Sequence, residues 1–272
     1  FTVPEMRVHA APAGRLLRHG ARSLAILPQA PQLSRGDLRR EAALKRRIDL
    51  AERASQARLV ALGSRPKFTG CKTTADVLDA YHGKRPILQP SDKAAAFYAL
   101  GRLGCLPAHG GMAQLTEDAR FAVLRADLLE AVPRLRARQL SNVLQAAAYL
   151  QLRDPALLDA IGEHGSRRAD SFGLRDVVAC VYSFGRLRWR DERLLSPLLE
   201  MAERDVRGLH SIDLANLATG LVGLHTAPPA LLHGIVDVSL AKLPEFGSLE
   251  LPALLSCLAS LGHSNERLVH AA

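Results

Sequence analysis

The chain repeats itself, and that repetition limits its fold more than any other feature. Leu103, Leu152, Leu187, Leu224 and Leu261 serve as anchors, the last four separated by 35, 37 and 37 residues. The first gap is 49, and the Gly- and Pro-rich stretch GCLPAHGGMAQLTED (104–118) is where an insertion of about a dozen residues fits. Other columns agree with the anchors. Three residues earlier stand Leu100, Tyr149, Phe184, Leu221 and Leu258; six earlier, Phe97, Ala146, Val181, Ala218 and Leu255. Four earlier every residue is small (Ala99, Ala148, Ser183, Gly220, Cys257), and eleven earlier every residue is polar (Asp92, Ser141, Asp176, Asp213, Glu250). Fifteen earlier come Leu88, Ala137, Phe172, Leu209 and Phe246, of which only Ala137 is a weak hydrophobe.

Apolar residues at −6, −3 and 0 share one helical face, and a small residue at −4 lets a neighbouring backbone come close. A polar residue at −11 suits a helix start, where it satisfies free N–H groups and the positive end of the dipole. A second helix follows each anchor. It is announced by Asp154-Pro155, Asp191-Glu192, Thr226-Ala227-Pro228 and Ser264-Asn265-Glu266, then by Leu157-Leu158, Leu194-Leu195, Leu231-Leu232 and Leu268-Val269. Each unit is therefore a helical hairpin of roughly 37 residues. The predicted fold is all-α: an α-solenoid of about five hairpins over 73–272, preceded by a basic extended arm (1–33) and a basic helix with linker (34–72). The stretch DLANLATGLVGL (213–224) is oily on nearly all sides because it is the inner helix of such a stack. Pro228-Pro229, with His225 and His233 nearby, argues against reading it as a membrane span.

Composition supports helices. Apolar residues make up 48% and aromatics only 4%, which disfavours an aromatic-rich β-sandwich or barrel. Cys71, Cys105, Cys180 and Cys257 are far apart with no C-x-x-C pair, so reduced thiols are expected rather than a zinc site or disulfide framework. No metal or other cofactor is expected. There is no phosphate loop, zincin helix, nucleophile elbow or dinucleotide fingerprint, and the ten histidines are scattered, so the chain reads as a non-enzyme.

Charge is unevenly placed. The net is +9, but residues 1–90 hold 17 Lys and Arg against 7 acids, whereas residues 91–272 hold 19 against 20. Residues 1–33 contain Arg7, Arg15, Arg18 and Arg22 with one acid, Glu5, the composition of a mitochondrial transit peptide. SRGDLRREAALKRRIDLAERASQARLVALG (34–63) reads as one long helix in which Arg35, Arg39, Arg40, Lys45, Arg46 and Arg47 outnumber nearby acids and suit phosphate contacts. Within the repeats, Arg102, Gln151 and Arg186 share the position before the anchor and Arg153 and Arg188 the one after; with Arg190 they would form a ridge facing RNA. Arg134, Arg136 and Arg138 make a further cluster. Residues 208–272 hold only Lys242 and Arg267 against five acids, which suits a contact with protein.

The helices LSNVLQAAAYLQL, LRDVVACVYSFGRL and DLANLATGLVGL, with TTADVLDAYHGKRPILQPSDKAAAFYALGRLG (73–104), resemble the octotricopeptide and heptatricopeptide repeats of organellar proteins. Related repeats precede RAP domains and occur in FAST-kinase-like proteins. The resemblance covers residues 73–272 and implies organellar RNA binding. Its leading form is a structural subunit of a mitochondrial ribosome that holds rRNA, located in the mitochondrial matrix or, alternatively, a plastid. Two other classes fit the same residues: a protein scaffold in a respiratory or ATP synthase complex, and a transcript-specific RNA-processing factor.

Overall fold

In the computed structural model the described residues are 46–47, 63, 65–105, 111–263 and 265–271. The arm, and all of the 34–63 helix except Arg46, Arg47 and Gly63, lie outside them. The architecture that follows belongs to the unit Ala57–Ala272. Its described residues form helices and no strand: α1 Thr74–Lys84, α2 Pro90–Gly104, α3 Gly111–Glu117, α4 Ala119–Ala131, α5 Ala137–Tyr149, α6 Pro155–Ser166, α7 Leu174–Leu187, α8 Glu192–Asp205, α9 Ser211–Gly223, α10 Pro229–Ala241, α11 Glu250–Ser260 and α12 Glu266–Ala271. Helices α2, α5, α7, α9 and α11 form one row and α1, α4, α6, α8, α10 and α12 a second, which is the α-solenoid the repeat predicts. First-row neighbours pack on each other far more extensively than second-row neighbours do. The short α3 occupies the insertion. Among the described residues no helix is long and apolar enough to cross a membrane.

Turn geometry corrects the register of the second unit. Gln151, Arg188, His225 and Gly262 follow the first-row helices at positive φ of 52°, 47°, 50° and 70°, each 37 residues after the last. The next amide then reaches back five residues: Leu152 to Ala147, Trp189 to Phe184, Thr226 to Leu221 and His263 to Leu258. This is the left-handed close that satisfies a helix's last carbonyls. The structural equivalent of Leu187, Leu224 and Leu261 is therefore Leu150, not Leu152. With that shift the −15 position becomes Leu135 instead of Ala137, and the −11 position becomes Gln139 instead of Ser141. Leu135 is buried beside Phe172 and Leu209 in the same column, and each follows a one-turn 3-10 helix. Gln139 closes a capping box by accepting the Arg136 amide at 2.8 Å, as Asp92 does for Gln89 at 2.9 Å; Glu250 accepts the Gly247 amide at 3.1 Å, with no side chain there to return the bond. Ser141 is instead a buried interior residue of α5.

Second-row starts obey the same period at Asp154, Asp191, Pro228 and Asn265. Asp154 accepts from the Leu157 amide and Asn265 from that of Leu268. Asp191 makes no cap bond and pairs with Arg193 at 2.5 Å. Thr226, expected to open α10, lies two residues outside it, because Pro228 has the N-cap position.

Side-chain cations close the repeats on one another. Arg153 donates from Nε to the Leu187 carbonyl at 2.6 Å, and Arg190 donates to that of Leu224 at 2.9 Å. They are 37 residues apart and neutralise the C-terminal poles of α7 and α9, where carbonyls lack intrahelical partners. Arg168 and Lys242, two periods apart, close their hairpins' open ends through the carbonyls of Leu135 at 2.8 Å and Leu209 at 2.7 Å.

One buried acid organises the first helices. Asp127 of α4 is 6% exposed and accepts from the Tyr81 hydroxyl at 2.6 Å and from Arg85 at 2.6 and 2.7 Å. The Arg85 guanidinium holds its carboxyl down at about 2, against the burial that opposes ionisation. An unfolded aspartate titrates near 3.9, so the native state favours the anion. This stabilisation is complete above about pH 4 and disappears as pH falls towards 2. Asp127→Ala is expected to cost about 2–4 kcal/mol at neutral pH, since the Tyr81 hydroxyl is left buried without its acceptor. Urea melts of both proteins check this, and their difference should shrink steadily from pH 4 to pH 2.

Candidate nucleic-acid interface

With the register set, four positions of every first-row helix, at −12, −8, −5 and −1 from its closing leucine, fall on one face. In α5 they are Arg138, Asn142, Gln145 and Tyr149; in α7, Arg175, Ala179, Tyr182 and Arg186. Helix α2 contributes Ala95, Tyr98 and Arg102, and α9 contributes Ile212 and Asn216. Most of these line a groove of about 350 Å³ running from Tyr98 to Asn216. A second concavity beside it shares Tyr98 and Asn142 and includes Arg102.

The core columns of each helix are spent on its neighbours, which leaves this face to solvent with polar and aromatic groups. Tyr98, Asn142, Gln145, Tyr149, Tyr182 and Asn216 are half-buried, whereas Arg102, Arg138, Arg175 and Arg186 are exposed. Arg102 and Arg175 make no ion pair with any described residue. Arg138 is shared with Asp176 at 2.8 Å, and the Arg186 guanidinium lies 5.9 Å from the centre of the Tyr182 ring. Burial pushes the Tyr149 phenol upward, and the nearby Tyr98 and Tyr182 add to the shift. Three tyrosines from three successive helices thus meet in one groove. Asp213 also lines it, so the charge is predominantly but not wholly positive.

Of the residues singled out in sequence, Arg102 and Arg186 share the −1 position and lie along this face. Gln151 does not belong with them; its place is taken by Tyr149. Arg188 is exposed at a left-handed turn, and its carbonyl accepts from Arg153 at 3.2 Å. Arg153 is the counterpart of Arg190, not of Arg188, and the expected ridge is divided accordingly: Arg153 and Arg190 turn to helix ends, where they join repeats. Arg46 and Arg47 are exposed on a helical turn. Arg15, Arg18, Arg22, Arg35, Arg39, Arg40 and Lys45 lie outside the described residues. The sequence reading missed Tyr98, Asn142, Gln145, Tyr149, Arg175, Tyr182 and Asn216. A search for polar columns seven residues apart in the corrected register would have found several of them.

Residues 117–226 match the family model described as RNA-editing substrate-binding complex 6 protein. The matched stretch is less than half of the chain, so this is a similarity. It runs from the end of α3 to the turn after α9 and contains every groove residue of α5, α7 and α9. Among curated proteins nothing matches the chain.

Proposed function

We propose that this is a non-catalytic, RNA-binding helical-repeat protein that works within an RNA-processing assembly, with RNA lying along the first-row groove. The observation that carries the reading is the face built by α2, α5, α7 and α9. It offers exposed arginines for phosphates, of which Arg102, Arg175 and Arg186 make no ion pair with any described residue, and amides and phenols for bases, on helices otherwise committed to packing. The family match supports it, since that family is named for binding an RNA-editing substrate. It favours the RNA-processing alternative over the ribosomal subunit that the repeat resemblance put first. The Arg-rich, acid-poor residues 1–33 support a mitochondrial location, and the arm is assigned as an additional phosphate contact.

The last two units suit a protein neighbour. Where α5 and α7 carry Arg138 and Arg175, the corresponding residues are Ile212 and Leu249, and Leu249 is 84% exposed.

Ultraviolet crosslinking of the full chain in its native particles tests the assignment. RNA adducts are expected on peptides of α5 and α7. Adducts confined to residues 1–63 would remove the groove from the account, and adducts to protein alone would remove RNA.

A further inference from the structure

The chain has four tyrosines, and their distribution is informative. Tyr81 is a core residue, fully buried and bonded to Asp127. The other three, Tyr98, Tyr149 and Tyr182, stand half-exposed in the same groove. In a chain with only 4% aromatics, core packing does not call for rings gathered at a wet surface. Their neighbours are also suited to bases. Asn142, Gln145 and Asn216 present amides with both donors and acceptors. A planar cation already lies over one of the rings, Arg186 over Tyr182.

The cations bracket this strip. Arg138 and Arg175 occupy the −12 position and Arg102 and Arg186 the −1 position, so the two rims are about 16 Å apart at 1.5 Å per residue of helix. A strand laid across successive helices between those rims has phosphates within reach of arginine and bases turned to the phenols. In an A-form duplex the base faces are already stacked and its readable groove shows edges and 2′-hydroxyls.

We propose that Tyr98, Tyr149 and Tyr182 form a stacking platform for unpaired bases, which makes the groove selective for single-stranded RNA over duplex RNA. The inference rests on the groove being the RNA site and adds what part of the RNA it holds. Every base offers a π-face, so the platform is tolerant of sequence, and the amides add modest preferences.

The test uses the full chain and three fluorescent probes: an unstructured oligoribonucleotide, the same strand annealed to its complement, and a strand with an intact sugar-phosphate backbone but abasic at its central positions. At one salt concentration the duplex and the abasic strand are each expected to bind at least tenfold more weakly than the intact strand. Tyr149→Ala should weaken binding of the intact strand by about 5- to 100-fold. Tyr149→Phe, which keeps the ring, should lose much less, and thermal melts establish that both variants fold. Equal binding of abasic and intact strands, or of duplex and single strand, would overturn the platform. If that happened while arginine substitutions in the groove still abolished binding, the groove would remain the RNA site and only stacking would fall. If the unaltered chain bound none of the probes, both readings would fall together.

Discussion

Gly220→Ala is expected to destabilise the protein even though alanine is the better helix former. A Cβ at Gly220 would lie 2.7 Å from the Val181 carbonyl carbon and oxygen and 2.8 Å from the Tyr182 nitrogen. The reciprocal contact is tighter still, since a Cβ at Gly185 would lie 2.3 Å from the Gly220 oxygen. These are backbone atoms that no rotamer change can move, so α7 and α9 must separate. Overpacking of this kind costs about 1–3 kcal/mol, and a bulkier valine should cost more. The intrinsic gain from replacing glycine in a helix is about 1 kcal/mol. Gly83, in the last turn of α1, isolates that gain because a Cβ there would meet no atom of any described residue within 4 Å beyond its own stretch of helix backbone. Gly83→Ala should therefore raise the midpoint of thermal unfolding by about 2–4 °C, at a rate of about that much per kcal/mol for a domain of this size. Gly220→Ala should lower it. If both substitutions moved the midpoint upward, the close crossing of α7 and α9 would be wrong.

The second large effect concerns RNA. Arg102 projects from α2 and Arg175 and Arg186 from α7, and none of them makes an ion pair with any described residue. If each contacts one phosphate, changing all three to glutamine should flatten the slope of log affinity against log salt by about 2, at ~0.7 per contact for a single strand. At 0.1 M salt that corresponds to a loss of about a hundredfold relative to the unaltered protein. Arg167, Arg204 and Arg207 are exposed on second-row helices and the turns that follow them, and the same change there should leave affinity within about twofold, as expected for charges outside the contact. An unchanged slope in the first variant would place the polyanion elsewhere.

How much of this was visible in the residues follows from what a repeat conserves against itself. Packing columns recur because each unit meets an identical neighbour, so the small residues at −4 and the large ones at −15 disclose the solenoid. In sequence the second unit reads two residues late because Leu150 and Leu152 both flank the turn and either makes a plausible anchor. Glycine normally marks such a left-handed turn, but Gln151, Arg188 and His225 occupy it in three units, and only Gly262 gives the usual signal. That slip put Gln151 in the column of Tyr149 and hid the aromatic groove. The groove was also hard to see because its columns vary: Tyr98, Gln145, Tyr182 and Thr219 follow one another at −5, as a surface that meets a non-repeating ligand permits. Arg153 and Arg190 read as outward-facing in sequence because nothing there separates a guanidinium aimed at solvent from one aimed at a carbonyl 34 residues on.

Those two arginines have a counterpart that lacks the function. The residue one period after Arg190 is Ala227, which has no donor to offer the end of α11. The unit of α11 and α12 therefore lacks the arginine clasp of the two units before it, and the Ser211 hydroxyl makes polar contact across that junction, 3.0 Å from both the Glu245 carbonyl and the Glu250 carboxylate. In a linear array each interface opens on its own terms, so the junction of α9 with α11 should open before those from α5 to α9, and the amide hydrogens of α11 should exchange faster. A segment that loosens independently next to exposed Leu249 is well placed to rearrange on a binding partner without disturbing the middle of the array.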